Sequence, residues 1–153
     1  MIINYDLLAN RDYYVRPHFK ISEFMCPCCN KVVLDSALVE KLEQLRAIFN
    51  KPIIVTSGYR CKNYNKKVGG YYRSRHLKGD AADVKVLYVD YSDYVKAAIE
   101  IFPRVGVYHE KFIHVDLYKR SRNRFWIRNK SGIYTYTNDY DVVMAEVQKI
   151  EMV

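Results

Sequence analysis

The chain has 153 residues, of which half are apolar and 27% are charged, and its formal net charge is +8. This length supports one hydrophobic core and no linker divides it, so we expect a single domain over residues 1–153. The positive charge indicates an anionic partner or a bias towards solubility. The basic residues are dispersed and no nucleic-acid-binding motif is present, which argues against nucleic acid. No stretch is long and apolar enough for a membrane span, and Met1–Asp6 lacks the basic start and apolar run of a secretory signal.

One long helix and one buried strand are predicted in the first half of the chain. The first twenty residues lack a clean periodicity, and residues 1–17 are interpreted as an irregular N-terminal arm. Asp35 can cap a helix over Ser36–Phe49, in which leucines recur on one face. Ile53–Thr56 is apolar and β-branched, which favours a buried strand. A basic, glycine-containing loop or short helix is expected over residues 61–75.

The second half of the chain is predicted to alternate between strands and helices. Ser92 can cap a second helix, whose apolar face is formed by Val95, Ala98, Ile99 and Phe102. Strands are expected near 105–108 and 112–118, and residues 119–153 then form a C-terminal extension. The extension is predicted to hold a hairpin and a closing helix, with the hairpin made of Phe125–Arg128 and Ile133–Tyr136 about Lys130–Gly132 and the helix near 139–149. This order predicts an α+β fold in which helices pack on one face of a small, mostly antiparallel sheet.

The segment Ser74–Asp83 places an imidazole and a carboxylate close together in sequence. His76 and Asp83 are seven positions apart, and Gly79 between them allows the chain to turn. The residues after Asp83 alternate between apolar and polar, so a strand is expected that carries this carboxylate at its start.

A second imidazole follows in the strand-like segment Phe112–Asp116. Alternate side chains of a strand share a face, so His114 and Asp116 point the same way. Two neutral imidazoles and one carboxylate, from His76, Asp83 and His114, make a three-ligand site for zinc with a fourth position open. An open position is typical of catalytic zinc, so this pattern predicts metal-assisted hydrolysis in a cleft on the sheet face opposite the helices.

These residues resemble the zinc D-Ala-D-Ala carboxypeptidase family, peptidase M15, and in particular its small single-domain branch with a His-Val-Asp motif. The pattern Ser-x-His-x-x-Gly-x-Ala-x-Asp followed by His-Val-Asp is the core of the resemblance. Four further segments match, namely Phe19–Phe24, Lys51–Arg60, Tyr64–Asn65 and Val68–Gly70. The resemblance covers residues 18–118. The wider clan includes bacteriophage endopeptidases and the zinc-bearing domain of hedgehog proteins.

The resemblance implies roles for five residues. His76, Asp83 and His114 would bind one catalytic zinc ion. Arg60 would meet the substrate, because a planar guanidinium offers paired donors to a carboxylate or a developing oxyanion. Ser74 would help to hold the substrate. The alternatives are a surface arginine that closes a loop and a serine that caps a turn.

The general base is less clearly indicated by the sequence. Many relatives carry Asp or Glu three residues before the last histidine ligand, where this chain has Lys111. Asp116 is therefore predicted to be the catalytic base, and its alternative role is to orient a ligand imidazole. Glu110 and His109 are the other candidates for the base.

Four cysteines form a separate group, with three in Cys26–Cys29 and the fourth at Cys61, directly after Arg60. Reduced, free thiols are expected in a protein made in the cytosol. A second, structural zinc ion at Cys26, Cys28, Cys29 and Cys61, and a disulfide to Cys61, remain the alternatives. The position of Cys61 predicts that this group packs near the cleft.

Two surface features suit an enzyme that acts on the bacterial cell wall, and each also has a plain structural explanation. Fifteen tyrosines are present, and some are expected to line a groove that suits sugar rings or extended peptides, although most would simply pack. The basic cluster Lys119–Arg124 is expected either to rim the cleft or to form a solvated loop.

The resemblance implies a zinc-dependent peptidoglycan peptidase that acts on wall stem peptides as a D-Ala-D-Ala carboxypeptidase or an endopeptidase. Without a signal peptide, a monomeric phage or prophage lysin is expected, made in the cytoplasm and released by a holin or carried in a virion. One alternative is a non-catalytic, zinc-containing module for wall binding or virion structure. The other is a basic nucleic-acid-binding protein with a metal site.

Overall fold

Short strands alternate with four helices in the computed structural model, which describes residues 1–6 and 13–153. The strands are β1 (Ile2–Asp6), β2 (Tyr14–Arg16), β3 (Phe19–Lys20), β4 (Lys31–Asp35), β5 (Ile53–Ser57), β6 (Ala81–Val86), β7 (Arg104–Tyr108), β8 (Ile113–Asp116), β9 (Phe125–Arg128) and β10 (Tyr134–Thr137). The helices are α1 (Ser36–Phe49), α2 (Lys62–Lys67), α3 (Tyr91–Ile101) and α4 (Tyr140–Glu151). Two turns of 3₁₀ helix cover Ile21–Phe24 and Arg75–Lys78.

Six of the described strands form one sheet in the order β10-β9-β7-β8-β6-β5. Neighbouring strands are antiparallel except for β7 and β9, which run parallel. Alternate side chains on one face of the sheet enter the hydrophobic core beneath the helices, among them Val84, Val105, Val107, Ile113, Val115 and Ile127. The predicted α+β fold with a mostly antiparallel sheet is confirmed, and the polar side chains of the central strands lie on the other face.

Helix α1 begins where the sequence predicts, because an Asp35 carboxylate oxygen accepts a hydrogen bond from the Ala37 N–H at 3.0 Å. The predicted cap of α3 is wrong. Helix α3 begins at Tyr91 with Asp90 at the N-cap, and Ser92 lies inside the first turn. Packing explains the earlier start, since the Tyr91 hydroxyl is drawn inward and donates to the Phe112 carbonyl at 2.7 Å.

The interpretation of the N-terminus as an irregular arm is wrong for the residues that the structure describes. Strand β1 pairs antiparallel with β4, with Ile3 opposite Leu34, and β2 pairs with β3. Local periodicity did not reveal these strands because each is short and β1 finds its partner far along the chain. The rest of the predicted arm, residues 7–12, lies outside the described residues, and the single-domain interpretation stays a prediction.

The C-terminal extension follows its prediction closely. Strands β9 and β10 form the expected hairpin, although β10 begins one residue later than predicted, at Tyr134. Helix α4 begins after Asp139, whose carboxylate accepts from the Asp141 N–H at 2.8 Å. No helix in the described part of the chain is long and apolar enough to cross a membrane.

Candidate metal centre

Three elements bring two imidazoles and a carboxylate together on the face of the sheet opposite the hydrophobic core. Asp83 on β6 lies directly opposite His114 on β8 in the strand register. His76 comes from the 3₁₀ turn that precedes β6. All three side chains are buried, and one donor atom from each lies within 4.8 Å of the others. Asp83 occupies the middle of β6, which begins at Ala81, so the prediction that it starts the strand is wrong.

Gly79 sets the turn that separates His76 from β6. Its φ is +78°, in the left-handed region, and a Cβ at this position would lie 2.2 Å from the Val33 carbonyl oxygen. The Gly79 carbonyl also accepts from the Asp35 N–H at 2.8 Å. The turn that carries His76 therefore packs directly against the backbone of β4, and only glycine fits there.

Gly79→Ala is expected to lower the free energy of unfolding by about 2–4 kcal/mol, because left-handed strain and displacement of β4 act together. Gly69→Ala is the matched control, since Gly69 has a φ of +73° but a Cβ at that position would have no other atom within 4 Å. That control is expected to cost only about 1 kcal/mol. Urea unfolding of both variants measures the difference, and equal losses would show that contact with β4 contributes nothing.

The distances fit a tetrahedral metal ion. Nε2 of His76 is 3.2 Å from Oδ1 of Asp83, and Nδ1 of His114 is 3.1 Å from the same oxygen. Donor atoms bound to zinc in a tetrahedron are about 3.4 Å apart, given metal–ligand distances of about 2.1 Å. The donor set, two imidazoles and one carboxylate, is one that zinc prefers.

In each imidazole, the ring nitrogen that faces away from the proposed metal position lies within hydrogen-bond distance of an acceptor. Nδ1 of His76 lies 2.7 Å from the Gly58 carbonyl oxygen, and Nε2 of His114 lies 2.7 Å from Oδ2 of Asp116. Each acceptor retains a proton on its own side of the ring and leaves the other nitrogen free as a ligand. The site therefore has the arrangement of a histidine-liganded metal centre, including the groups that fix the tautomers.

Protonation in the site follows from burial and close pairing. Burial raises the pKa of Asp83, but the His76 and His114 imidazoles lower it more, so this pKa lies well below its ordinary range. Burial lowers the pKa of His114, but hydrogen bonds with Asp116 and Asp83 raise it to about 9. The His114 imidazole thus holds a proton beside the Asp83 carboxylate, and a cation that binds there would displace it.

Arg60 reaches the same carboxylate from the other side. Its Nη2 donates to Oδ2 of Asp83 at 3.2 Å, while Nη1 donates to Oδ1 of Asn65 at 3.3 Å. Its Nε donates to Oγ of Ser57 at 3.0 Å. The guanidinium is thus held rigidly beside Oδ2, while Oδ1 of Asp83 faces the imidazoles. Three of its five N–H donors are used in these bonds.

Asn65 is a contributor that was not singled out as a site residue from the sequence. It is buried, and its side-chain amide donates to the Tyr71 carbonyl at 2.8 Å while its oxygen accepts from Arg60. The available sequence signal was the Tyr64–Asn65 pair, which follows the Ser-Gly-Tyr-Arg segment that ends at Arg60. Asn65 therefore couples the loop over residues 61–75 to the guanidinium.

Ser74 takes the capping position. Its Oγ accepts from the His76 N–H at 3.2 Å, so the hydroxyl caps the 3₁₀ turn that presents His76. Its predicted role in substrate binding stays a prediction.

Asp116 lies behind His114 rather than beside the point where the ligand atoms meet. The carboxylate is fully buried, accepts from the Tyr118 N–H at 2.9 Å and lies 3.5 Å from Nε of Arg104. Burial raises its pKa, but the His114 hydrogen bond and the Arg104 charge lower it more, so Asp116 stays ionised. These contacts favour the orienting role over that of catalytic base, which stays a prediction.

The other candidates for the base lie in the turn between β7 and β8. His109 is half-buried there. Glu110 is exposed, and one of its carboxylate oxygens lies 3.1 Å from Nη1 of Arg128. Lys111 lies in the same turn, and its Nζ donates to the Val153 carbonyl oxygen at 3.3 Å.

Trp126 on β9 covers the site from the side of the parallel strand pair. Its ring centroid is 4.7 Å from that of His114, and its Nε1–H donates to the Tyr108 hydroxyl at 3.0 Å. Gly106 makes room for the indole, because a Cβ there would lie 2.3 Å from the ring. Trp126 was assigned to a strand from the sequence but given no role, since its proximity to His114 depends on the pairing of β9 with β7.

Aromatic side chains continue from Trp126 to the edge of the sheet. Tyr136 lies opposite Trp126 in the strand register, and Tyr134 lies opposite Arg128. The rings of Tyr134 and Tyr136 are nearly parallel, with centroids 6.2 Å apart, and both residues are exposed. Tyr108, Trp126, Tyr134 and Tyr136 are called the aromatic strip below.

The basic residues of the cluster Lys119–Arg124 lie in different surroundings. Arg124 points to the end of α3, where its guanidinium donates to the carbonyls of Ile99, Phe102 and Pro103. This arginine therefore satisfies helix-terminal carbonyls and does not rim the metal centre. Lys119 and Arg120 are exposed.

A sequence model of a protein family described as Peptidase M15 matches residues 17–116 of this chain. The match includes the three candidate ligands, Arg60 and Asp116, and it ends before the strands that carry Trp126 and the tyrosines of β10. No curated protein matches the chain.

Proposed function

Because the chain belongs to the peptidase M15 family, we propose that it is a zinc-dependent peptidase that hydrolyses a peptide bond in the stem peptides of bacterial peptidoglycan. Its class is that of a metallopeptidase. The observation that carries the proposal is the convergence of Nε2 of His76, Nδ1 of His114 and the Asp83 carboxylate, with the outer nitrogen of each imidazole already held. When bound there, zinc would polarise the scissile carbonyl and lower the pKa of a water molecule.

Arg60 is proposed to stabilise the negative charge that develops on the substrate. Its guanidinium is fixed by Ser57, Asn65 and Asp83, and it retains N–H donors beyond those three bonds. A preorganised donor in a buried site costs little reorganisation during the reaction, which is why such groups contribute strongly to catalysis. The same donors suit the carboxylate of a stem peptide.

Proton transfer is proposed to use the turn at His109 and Glu110. Asp116 is buried behind His114 and engaged by the imidazole, the Tyr118 N–H and Arg104. A carboxylate engaged in this way suits the orientation of the imidazole better than proton transfer, which supports an assignment of the base to the turn at His109 and Glu110.

Asp116→Asn is expected to weaken zinc binding by about 10- to 100-fold, because the imidazole loses its charged acceptor. At saturating zinc the pH–rate profile should keep its acidic limb. The Gln variant of either His109 or Glu110 should lose that limb instead. Zinc competition with a chelator and pH profiles of the three variants test this, and loss of the limb in Asp116→Asn alone would make Asp116 the base.

We further propose an endopeptidase that accepts an extended substrate, rather than one that trims only the terminal D-Ala. The aromatic strip supports this, because it runs from Trp126 beside His114 to the exposed rings of Tyr134 and Tyr136, which can contact wall material at the edge of the sheet. The formal charge of +8 suits the anionic wall. A monomeric phage or prophage lysin, released by a holin or carried in a virion, is the setting that we propose.

Tyr136→Ala is expected to slow the degradation of whole walls by about 3- to 10-fold, the equivalent of one aromatic contact. Hydrolysis of a short, soluble stem peptide should be unchanged, because the exposed tyrosine lies at the far edge of the sheet. Tyr140→Ala, at the start of α4, is the control and should affect neither rate. An equal loss of rate on whole walls and on the short peptide would show that Tyr136 supports the fold and does not contact the wall.

The function is tested with purified peptidoglycan and zinc-loaded protein. Release of new amino groups without release of reducing sugar shows cleavage of amide bonds and not of glycosidic bonds, and mass spectrometry of the products shows whether the cleaved bond lies within the stem peptide. The activity should vanish on chelation and return with added zinc. If walls stay intact while zinc is bound, the proposal fails and a non-catalytic wall-binding module takes its place, whereas salt-dependent DNA binding without hydrolysis would favour the nucleic-acid alternative.

A further inference from the structure

Three of the four cysteines converge at a second point on the molecule, and the fourth lies beside them. The sulfur atoms of Cys26, Cys29 and Cys61 all lie within 4.8 Å of one another. Cys28 is exposed and its thiol interacts with that of Cys61. All four lie in the described part of the chain, and no disulfide joins them.

The loop that carries the first three cysteines has a defined backbone shape. The Cys26 N–H donates to the Lys31 carbonyl and the Asn30 N–H donates to the Cys26 carbonyl, both at 2.9 Å. Asn30 has a φ of +58°, in the left-handed region that closes such a tight loop. This closure brings Cys26 and Cys29, three residues apart, to the same side of the loop.

Backbone N–H groups point at the sulfur atoms. The Cys61 N–H donates to Sγ of Cys26, and the Tyr64 N–H donates to Sγ of Cys61, both at 3.4 Å. Neutral thiols are weak acceptors, so directed N–H donors on two of the clustered sulfur atoms match thiolates.

The sulfur spacing suits a shared metal ion. Sγ of Cys26 is 3.7 Å from Sγ of Cys61, whereas a disulfide bond measures about 2.05 Å. The edge of a tetrahedron with zinc–sulfur distances of about 2.3 Å is about 3.8 Å. Cys26 and Cys29 have the spacing of a chelating pair, and the Cys28 thiol interacts with that of Cys61.

We propose that Cys26, Cys28, Cys29 and Cys61 bind a second zinc ion, a closed structural site separate from the histidine-liganded centre. This ion joins the loop over 26–30 to the N-terminus of α2. The Tyr59 N–H already donates to the Phe24 carbonyl at 2.8 Å, so the two segments lie side by side. Since Arg60 directly precedes Cys61, the ion fixes the backbone from which Arg60 reaches Asp83.

Metal analysis of the protein purified with zinc tests the proposal. Two zinc ions per chain are expected in the wild type. An organomercurial, which attacks thiolates, should release one ion, and a chelator should then remove the other. In the wild type substituted with cobalt, a sulfur-to-cobalt charge-transfer band should appear in the near ultraviolet.

Variants assign the two ions. Cys61→Ser should lose the charge-transfer band and one ion, and His76→Ala should keep the band and lose the other. Cys28 is exposed, so Cys28→Ser is expected to leave the fold intact. This variant should bind the zinc ion of the cysteine site more weakly. One zinc per chain, no release by the mercurial, or a Cys26–Cys61 disulfide in the purified wild type would overturn the proposal, and unchanged retention in Cys28→Ser would remove Cys28 from it.

Discussion

Asp83→Asn is expected to abolish zinc binding at the histidine-liganded centre and to reduce hydrolysis by about 10³-fold or more. The charged carboxylate contacts both imidazoles and Arg60 within 3.2 Å. A neutral amide of the same shape removes the anionic ligand and leaves the guanidinium without its counter-charge. Zinc content and the rate of amino-group release from peptidoglycan measure the two losses.

Asp80→Asn is the matched control for that variant. Asp80 is as buried as Asp83, with 8% of each residue exposed, and its two carboxylate oxygens pair with the Arg75 guanidinium at 3.0 and 2.5 Å. Asp80→Asn therefore removes a buried acid from the same segment and leaves the three candidate ligands unchanged. Some loss of stability with normal zinc binding is expected. Equal zinc affinity in wild type and Asp83→Asn would show that Asp83 is not a ligand.

Arg60→Lys is expected to lower kcat by about 10²- to 10³-fold while zinc stays bound. Lysine keeps the positive charge, but its single amine cannot contact Ser57, Asn65 and Asp83 at once or present a planar pair of donors. The effect should therefore fall on the reaction step rather than on metal affinity. Steady-state kinetics with a soluble stem peptide separates kcat from KM.

Arg75→Lys controls for that replacement, because Arg75 also pairs with a buried aspartate but contacts none of the ligands. Its kcat should remain close to that of the wild type. If both variants lose activity equally, or if Arg60→Lys retains full kcat, then Arg60 only supports the fold.

Local signals were sufficient for α1, α4 and the C-terminal hairpin. Asp35 caps α1 as predicted, and the hairpin of β9 and β10 follows from turn residues between two short apolar runs. Each of these features depends on residues close in sequence. Ser92 was misassigned because tertiary packing of Tyr91 moved the helix start.

Non-local pairing explains what the sequence did not reveal. The strand β1 acquires its structure only from β4. Asp83 and His114 could be named from motif spacing, but the sequence did not show that they face each other across two antiparallel strands. Trp126 reaches His114 through a parallel strand pair that no local pattern indicates.

The position of Asp116 relative to the imidazole was similarly hidden. Strand alternation places Asp116 on the same face as His114, and the sequence left two roles open for it. The ring orientation favours the orienting role, because Nδ1 of His114 faces Asp83 and Nε2 faces Asp116.

The central claim is that the zinc site of this chain hydrolyses a peptide bond in peptidoglycan. It is tested most directly by digesting defined disaccharide stem peptides in ¹⁸O-labelled water and reading the products by mass spectrometry. We expect a single cleaved peptide bond whose new carboxyl group carries one heavy oxygen, with no product from Asp83→Asn. Intact substrate in the presence of the zinc-loaded wild type would contradict the claim.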